Sequence, residues 1–380
     1  MALLVFWISA AAIIYTYAGY PLIIWLAARI RPRAVKKADI TPFVSVVVAC
    51  HNEAANIGSK ISNLLESDYP PERLEIVVVS DGSTDLTRAV VEAHASDRLR
   101  LIAYAPQRGK ADALNLGVAI TKGDIIVFAD ARQQFERSAI RELARNFAEE
   151  TVGAVSGELT LKAGPSLVEA VGLYWRYEKS IRRSEGLACS VIGATGAIYA
   201  IRRELWKPLP PATILDDVFT PMQIAMVGRR VVFDESARAY DTVAPSREFA
   251  RKVRTLTGNY QLCQLMPRLL LPTSLLILRF YSHKLLRLAA PLFLLSVLAA
   301  NVAIVLGDAA GPRLLFFETS LAMQLLFYAG VIIAALMPKN SRRVRFLSVA
   351  YTFSMMNLAA VVGLVCFILG KRDVWQRARG

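Results

Sequence analysis

Two hydrophobic patterns alternate along the chain. At its ends the apolar residues run almost without charge: Ala2 to Arg29, then Leu288 to Leu306, Leu314 to Leu336 and Phe346 to Leu369. About 20 apolar residues in a helix cross a hydrocarbon core of about 30 Å, so each run predicts a membrane span. In the middle the runs are short and rich in β-branched residues, as buried parallel strands are. They predict strands over 43–49, 74–80, 99–104 and 125–129. Between them come helical stretches over 54–65, from Ser83 or Thr84 to His94, and over 110–120. Further on, the pattern predicts helices over 138–148, 168–184 and 215–227, with strands over 152–161 and 229–240. Strand and helix in alternation imply an α/β fold, a doubly wound sheet whose ligands bind at the carboxyl ends of the strands. The predicted organisation is a transmembrane helix over 1–30, a soluble domain over 40–245, amphipathic interfacial helices over 246–287, three transmembrane helices over 288–370 and a basic tail over 371–380.

Charge orients this layout. Arg31, Arg33, Lys36 and Lys37 directly follow the first span and place the soluble domain on the cytoplasmic side of the membrane. The first run's length and the lack of a basic start argue against a cleaved signal peptide. The basic loop 338–345 is cytoplasmic by the same rule, and parity then sends the tail outside, against it: either 267–287 crosses or re-enters, or the tail is an exception. The chain has 380 residues, is 54% hydrophobic and carries a formal charge of +14. That excess sits beside the apolar runs, where it suits anionic lipid. Nucleic acid is not expected as a partner, because no basic strand is interleaved with aromatics and no zinc or helix-turn-helix spacing occurs. Cys50, Cys189, Cys263 and Cys366 are scattered, which argues against a disulfide framework and fits a reducing compartment. Few charges fall in the last three spans, which disfavours a coupled transporter.

The candidate chemistry gathers at strand ends. Gln107-Arg108-Gly109-Lys110 is a basic turn that opens a helix, a place suited to phosphate oxygens. The next strand ends in Asp130, suited to a ribose hydroxyl or a metal; the alternative is that Asp130 caps the following helix. His51, Glu53 and Asp81 also fall at strand ends and can converge with it.

Strand–His51-Asn52-Glu53, strand–Ser80-Asp81-Gly82-Ser83-Thr84-Asp85, Gly109-Lys110-Ala111-Asp112-Ala113-Leu114-Asn115 and strand–Phe128-Ala129-Asp130 resemble, in order and spacing, the nucleotide-sugar domain of family 2 glycosyltransferases. The membrane-embedded branch, with the cellulose, hyaluronan and poly-N-acetylglucosamine synthases, is closest in layout. The resemblance covers roughly residues 40–260. It implies a GT-A fold: a Rossmann-like, mostly parallel cytosolic sheet domain flanked by transmembrane helices. It implies that Asp81 binds uracil, that Lys110 helps hold the nucleotide, and that Asp130 is the first acid of a DxD motif and a metal ligand. His51 and Glu53 join the nucleotide-binding set. Residues 191–203 resemble the acceptor-side TGA segment. Leu215-Asp216-Asp217 stands where the family has Thr-Glu-Asp, which makes Asp217 the general base; Asp216 is expected to be a plain N-cap.

Two departures matter. Arg132 occupies the position of the second DxD acid. A divalent cation, Mg2+ or Mn2+, is still expected, completed by diphosphate oxygens and water; alternatively Arg132 contacts the diphosphate, or turns away to pair with Glu136. Where the family has Gln-x-x-Arg-Trp, this chain has Arg251-Lys252-Val253-Arg254-Thr255. Arg254 is kept, for the leaving diphosphate or for lipid phosphate, but the Trp that floors a processive acceptor site is lost. The expected activity is inverting transfer of a hexose or N-acetylhexosamine from a UDP-sugar to a glycan, for cell-surface polysaccharide synthesis at the bacterial inner membrane. The alternatives are a membrane-lipid acceptor, which would make a glycolipid, and an inactive UDP-sugar-binding assembly subunit.

Overall fold

The computed structural model describes residues 1–94, 96–162, 168–242, 248–307, 312–337 and 345–370. The expected basic loop at 338–344, the tail at 371–380 and the start of the amphipathic helix at Ser246 and Arg247 lie outside the described residues. In chain order the helices are α1 (Ala2–Ile30), α2 (Ala54–Leu65), α3 (Thr87–Glu92), α4 (Lys110–Ala119), α5 (Ala139–Arg145), α6 (Val168–Ala188), α7 (Asp216–Met226), α8 (Glu248–Leu265), α9 (Leu275–Val305), α10 (Pro312–Leu336) and α11 (Arg345–Ile368). The strands are β1 (Val44–Cys50), β2 (Leu74–Asp81), β3 (Leu99–Tyr104), β4 (Ile125–Ala129), β5 (Gln134–Phe135), β6 (Val152–Lys162), β7 (Ile198–Arg202) and β8 (Arg230–Thr242).

The chain divides into two compact units. One holds residues 27–163 and 182–243; the other holds 1–26, 164–181 and 244–380. The first is built on one eight-stranded sheet in the order β3-β2-β1-β4-β7-β6-β8-β5. The first four strands are mutually parallel, and β7 joins β4 antiparallel. Every residue of β1 and of β2 is buried, as a strand covered by helices on both faces requires. The core runs from Val46 and Val48 through Ile57, Ile61 and Leu64 of α2 to Val127, Ile140 and Leu143. α4 lies close on the sheet: a Cβ at Gly117 would stand 2.7 Å from Val47 Cγ1.

Register then fixes where the strand ends fall. Cys50 of β1 pairs with Ser80 of β2, and Val48 with Ala129 of β4. His51, Asp81 and Asp130 therefore leave three neighbouring strands at one edge of the sheet.

The second unit is helical. α1 and α9 pack through Phe6, Ala300 and Ile304, with Phe317 of α10 edge-on to Phe6 at 5.1 Å. α8 packs on α11, where the Thr257 hydroxyl donates to the Gly363 carbonyl at 3.3 Å. Glu178 of α6 forms ion pairs with His283 and Arg287 of α9. Among the described residues four helices are long and apolar enough to cross a membrane: Ala2–Ile30, Leu275–Val305, Leu314–Leu336 and Phe346–Ile368. The second of these begins at Leu275, upstream of the boundary expected at 287, and holds one π-helical turn at Tyr281–Leu285.

Candidate active site

The site is assembled first by a glycine. β2 ends at Asp81, and Gly82 follows with φ +60°, a conformation that side-chain-bearing residues rarely adopt. A Cβ there would stand 2.4 Å from the Gln107 backbone nitrogen, so only glycine lets the loop before α4 close on this turn. Once closed, the loop donates two backbone N–H groups to the buried Asp81 carboxylate, Arg108 to Oδ1 at 2.7 Å and Gly109 to Oδ2 at 2.9 Å. Asp81, expected from the resemblance to read a base, thus also orders the turn that starts α4. His51 Nδ1 donates to the Asp81 carbonyl at 2.6 Å, which sets the proton on that nitrogen. Glu53 closes the start of α2: its N–H donates to the Thr87 hydroxyl at 2.8 Å and its carboxylate accepts from Asn56 at 2.8 Å. The Arg108 guanidinium lies over the Tyr104 ring at 4.8 Å.

Gly109, with φ +104°, is the N-cap of α4, and Lys110 is the first helical residue. The Lys110 ammonium reaches Asp130 Oδ1 at 3.1 Å and Asp216 Oδ1 at 3.3 Å. It joins the end of β4 to the start of α7, segments more than eighty residues apart. Asn115 of α4 pins the approach to α7: its side chain makes both hydrogen bonds to the Leu209 backbone, at 2.8 and 3.0 Å.

Asp216 differs from its expected role. The N-cap of α7 is Leu215, with no side-chain cap hydrogen bond, and Asp216 instead turns its buried carboxylate to Lys110 and to the Tyr199 hydroxyl at 3.4 Å. Two acids open α7, and sequence reasoning assigned the cap to the one whose side chain reaches inward. The missed signal was Tyr199, a tyrosine on the buried strand beside β4, whose hydroxyl needs a partner. Tyr199 is fully buried and stacks on Phe128 at 4.6 Å. Burial, then the charges of Asp216, Asp217 and Asp130, hold its phenol well above the usual range, so all three carboxylates act on one ring. Asp217 is partly exposed, and its carbonyl accepts from Ala194 N–H at 2.6 Å. Gly196, in the segment before β7, lies against its carboxylate: a Cβ there would stand 2.9 Å from Oδ2.

Arg132 does not pair with Glu136. Its Nε and Nη2 donate to Asp241 Oδ1 and Oδ2, at 3.1 and 2.8 Å. Glu136 instead accepts from the Tyr240 hydroxyl at 3.1 Å. The Gln133 side chain donates to the same Asp241 at 3.0 Å, and the Gln133 carbonyl accepts from the Lys60 ammonium at 2.8 Å. Lys60 sits on the core face of α2, fully buried and 3.5 Å from the centre of the Phe135 ring. Burial lowers its ammonium to about 7, and the nearby Asp130 charge opposes that shift.

The sheet unit thus brings together Asp81, Lys110, Asp130, Arg132 and Asp217, with His51 and Glu53 at the same edge; Arg254 belongs to α8 of the other unit. No group of three or more His, Cys, Asp or Glu side chains able to hold a metal occurs among the described residues. Asp130 offers a cation one hard carboxylate, 39% exposed, at the rim of the site.

Residues 45–207 match the model of the Glycosyl transferase family 2. A β-monoglucosyldiacylglycerol synthase of Nostoc sp. is 35% identical over 131 residues, 33% of this chain and 28% of that protein. A poly-β-1,6-N-acetyl-D-glucosamine synthase of Staphylococcus aureus is 24% identical over 239 residues, 60% of this chain and 58% of that protein. The chain therefore spans less than two thirds of either curated relative. A mannosyltransferase from Pyrobaculum calidifontis, solved with GDP-Man and Mn2+, superposes with a TM-score of 0.73 at 25% identity, over 96% of this chain and 99% of that one.

Proposed function

We propose, from the premise that this chain is a glycosyltransferase with a family 2 domain of GT-A fold at residues 45–207, that it is an inverting membrane enzyme. It transfers a hexose or N-acetylhexosamine from a UDP-sugar to a glycan acceptor, at the bacterial inner membrane with the sheet domain in the cytoplasm. The acceptor hydroxyl attacks C1 of the donor sugar. Its proton passes to the Asp217 carboxylate, a new C1–O bond forms opposite the diphosphate, and the C1–diphosphate bond breaks with its electron pair left on the departing oxygen. A sugar hydroxyl is a weak nucleophile, and a carboxylate placed to take its proton contributes about 10²- to 10⁴-fold.

The observation that carries this reading is the Lys110 bridge, which ties Asp130 to the pair Asp216-Asp217. Asp216 orients Lys110 and Tyr199 and is a supporting rather than a reacting acid. Three carboxylates against one ammonium would repel a bare diphosphate, which supports a divalent cation as part of the donor complex. Asp130 would hold that cation, Mg2+ or Mn2+, which when bound supplies positive charge to the diphosphate oxygens. Asp81, His51 and Glu53 shape the nucleoside end.

Purified protein in detergent, supplied with Mn2+, a panel of UDP-sugars and GDP-Man, and glycan or diacylglycerol acceptors, should release nucleoside diphosphate and form a product identified by mass. Asp217→Asn should slow release by about 10²- to 10⁴-fold and keep nucleotide affinity. Binding without turnover by the wild type across that panel would replace the enzyme with a binding subunit. Two observations favour a second reading on particular arms of the panel. The structural neighbour holds GDP-Man, which favours that donor. The Nostoc relative is a glycolipid synthase and Thr255 replaces the expected Trp, which favours a lipid acceptor.

A further inference from the structure

We propose that Arg132 binds the donor diphosphate through its guanidinium, and that buried Asp241 is the positioning residue that aims it. This rests on the reading above that the donor diphosphate lies beside Asp130.

The ion pair is lopsided. The Asp241 side chain is 1% exposed and that of Arg132 is 45% exposed. A pair kept for stability alone has little reason for this form: an exposed pair contributes little to stability, and burying a carboxylate opposes folding. What the form does achieve is direction. Nε and Nη2 meet the two carboxylate oxygens fork to fork, the arrangement that fixes a guanidinium plane. Asp241 is itself held, by the Gln133 amide and by the end of β8, where it pairs in register with Leu161 of β6. The Gln133 carbonyl is tied down by Lys60. The bend that carries Asp130 and Arg132 is therefore anchored from below at two points.

Among the described residues Arg132 Nη1 makes no hydrogen bond, and Arg132 stands two residues past Asp130 in the same bend. A guanidinium stays protonated throughout the usable pH range and matches phosphate oxygens in pairs. Asp241 cannot take over as the missing second acid, because both its oxygens already accept from Arg132, and Oδ2 also accepts from Gln133. Arg132 therefore recognises the diphosphate directly, at the position where a second carboxylate would have recognised it through a cation.

The test is discrimination between diphosphate and monophosphate. UDP and UMP (and GDP and GMP) are titrated calorimetrically into the full chain in detergent, for the wild type, Arg132→Ala, Arg132→Lys, Asp241→Asn and Asp241→Glu. Loss of a charge-assisted contact predicts about 10- to 100-fold weaker UDP binding by Arg132→Ala, with UMP affinity within about twofold. Asp241→Asn should reduce the same ratio with less effect, and Asp241→Glu should restore part of it. Arg132→Lys keeps a cation beside buried Asp241 but loses the fork, and should lose part of the same ratio; it decides the matter where Arg132→Ala or an Asp241 variant fails to fold. A wild-type ratio of UDP to UMP affinity in Arg132→Ala, or an equal loss for both nucleotides, overturns the proposal and leaves the transferase reading standing. A wild type that binds no nucleotide overturns both.

Discussion

Lys60 offers a prediction whose size follows from the structure. Its ammonium lies on the core face of α2 beside Ile57, Ile61 and Leu64, against Phe135, with one hydrogen bond to Gln133. Burial lowers its pKa from 10.5 to about 7. The unfolded chain therefore holds this proton more tightly than the folded one, and the burden on stability is full below about pH 7 and fades as pH rises toward 10.5. Linkage across that gap gives a burden of about 4 kcal/mol at pH 7 and about 1 kcal/mol at pH 9.5. The protein should thus gain about 3 kcal/mol from this group between those two pH values. For a domain of this size that is an apparent melting shift of about 6–12 °C. The assay is thermal unfolding in detergent at pH 7.0, 8.0, 9.0 and 9.5, wild type against Lys60→Met and Lys60→Arg. The methionine variant should lose this rise with pH, although it also leaves the Gln133 carbonyl without its donor. The arginine variant cannot shed its proton and should be less stable at every pH tested. Parallel curves for the wild type and Lys60→Met would refute the reasoning. Asp130 enters the same balance: its charge favours protonated Lys60, so Asp130→Asn should move the rise to lower pH.

Four further outcomes are expected. Asp217→Asn should lower kcat by about 10²- to 10⁴-fold with nucleotide affinity unchanged, read by single-turnover transfer. Gly196→Ala inserts a Cβ 2.9 Å from the Asp217 carboxylate and should reduce kcat by up to about 10²-fold with little change in melting temperature. Gly82→Ala forces a left-handed alanine into the Gln107 backbone; the backbone conformation alone costs about 1–2 kcal/mol, and thermal unfolding and UDP titration should both report the loss. Chelation of divalent cations should suppress sugar transfer, and added Mn2+ should restore it.

Local chemistry carried much of this protein. Unbroken apolar runs announced the helices long enough to span a bilayer. Short apolar runs announced the strands: residues 44–50, 74–81 and 125–129 form buried ones, and residues 99–104 form a partly exposed strand at the sheet's edge. Because the register of a parallel sheet aligns strand ends, Asp81 and Asp130 could be placed at one edge before any contact was known. Gly109, at φ +104°, was also legible as the glycine of the basic turn that opens α4.

Side-chain partnership was not legible, and the reason is distance along the chain. Periodicity says which face of an element is buried, but not what waits on the other side of the gap. Glu136 was the neighbour of Arg132 in sequence, yet Asp241, 109 residues away, holds it. Asp216 and Asp217 look equivalent at a helix start. Successive residues of a helix point about 100° apart, so the first turns inward to Lys110 and Tyr199 while the second stays partly exposed beside Gly196. Nothing within α2 marks Lys60 as buried; Phe135 of β5 lies against its ammonium. The sequence determined the elements and their order through forces acting within a few residues. Only the tertiary structure decided which charges meet, because that choice belongs to the packing of elements distant in the chain.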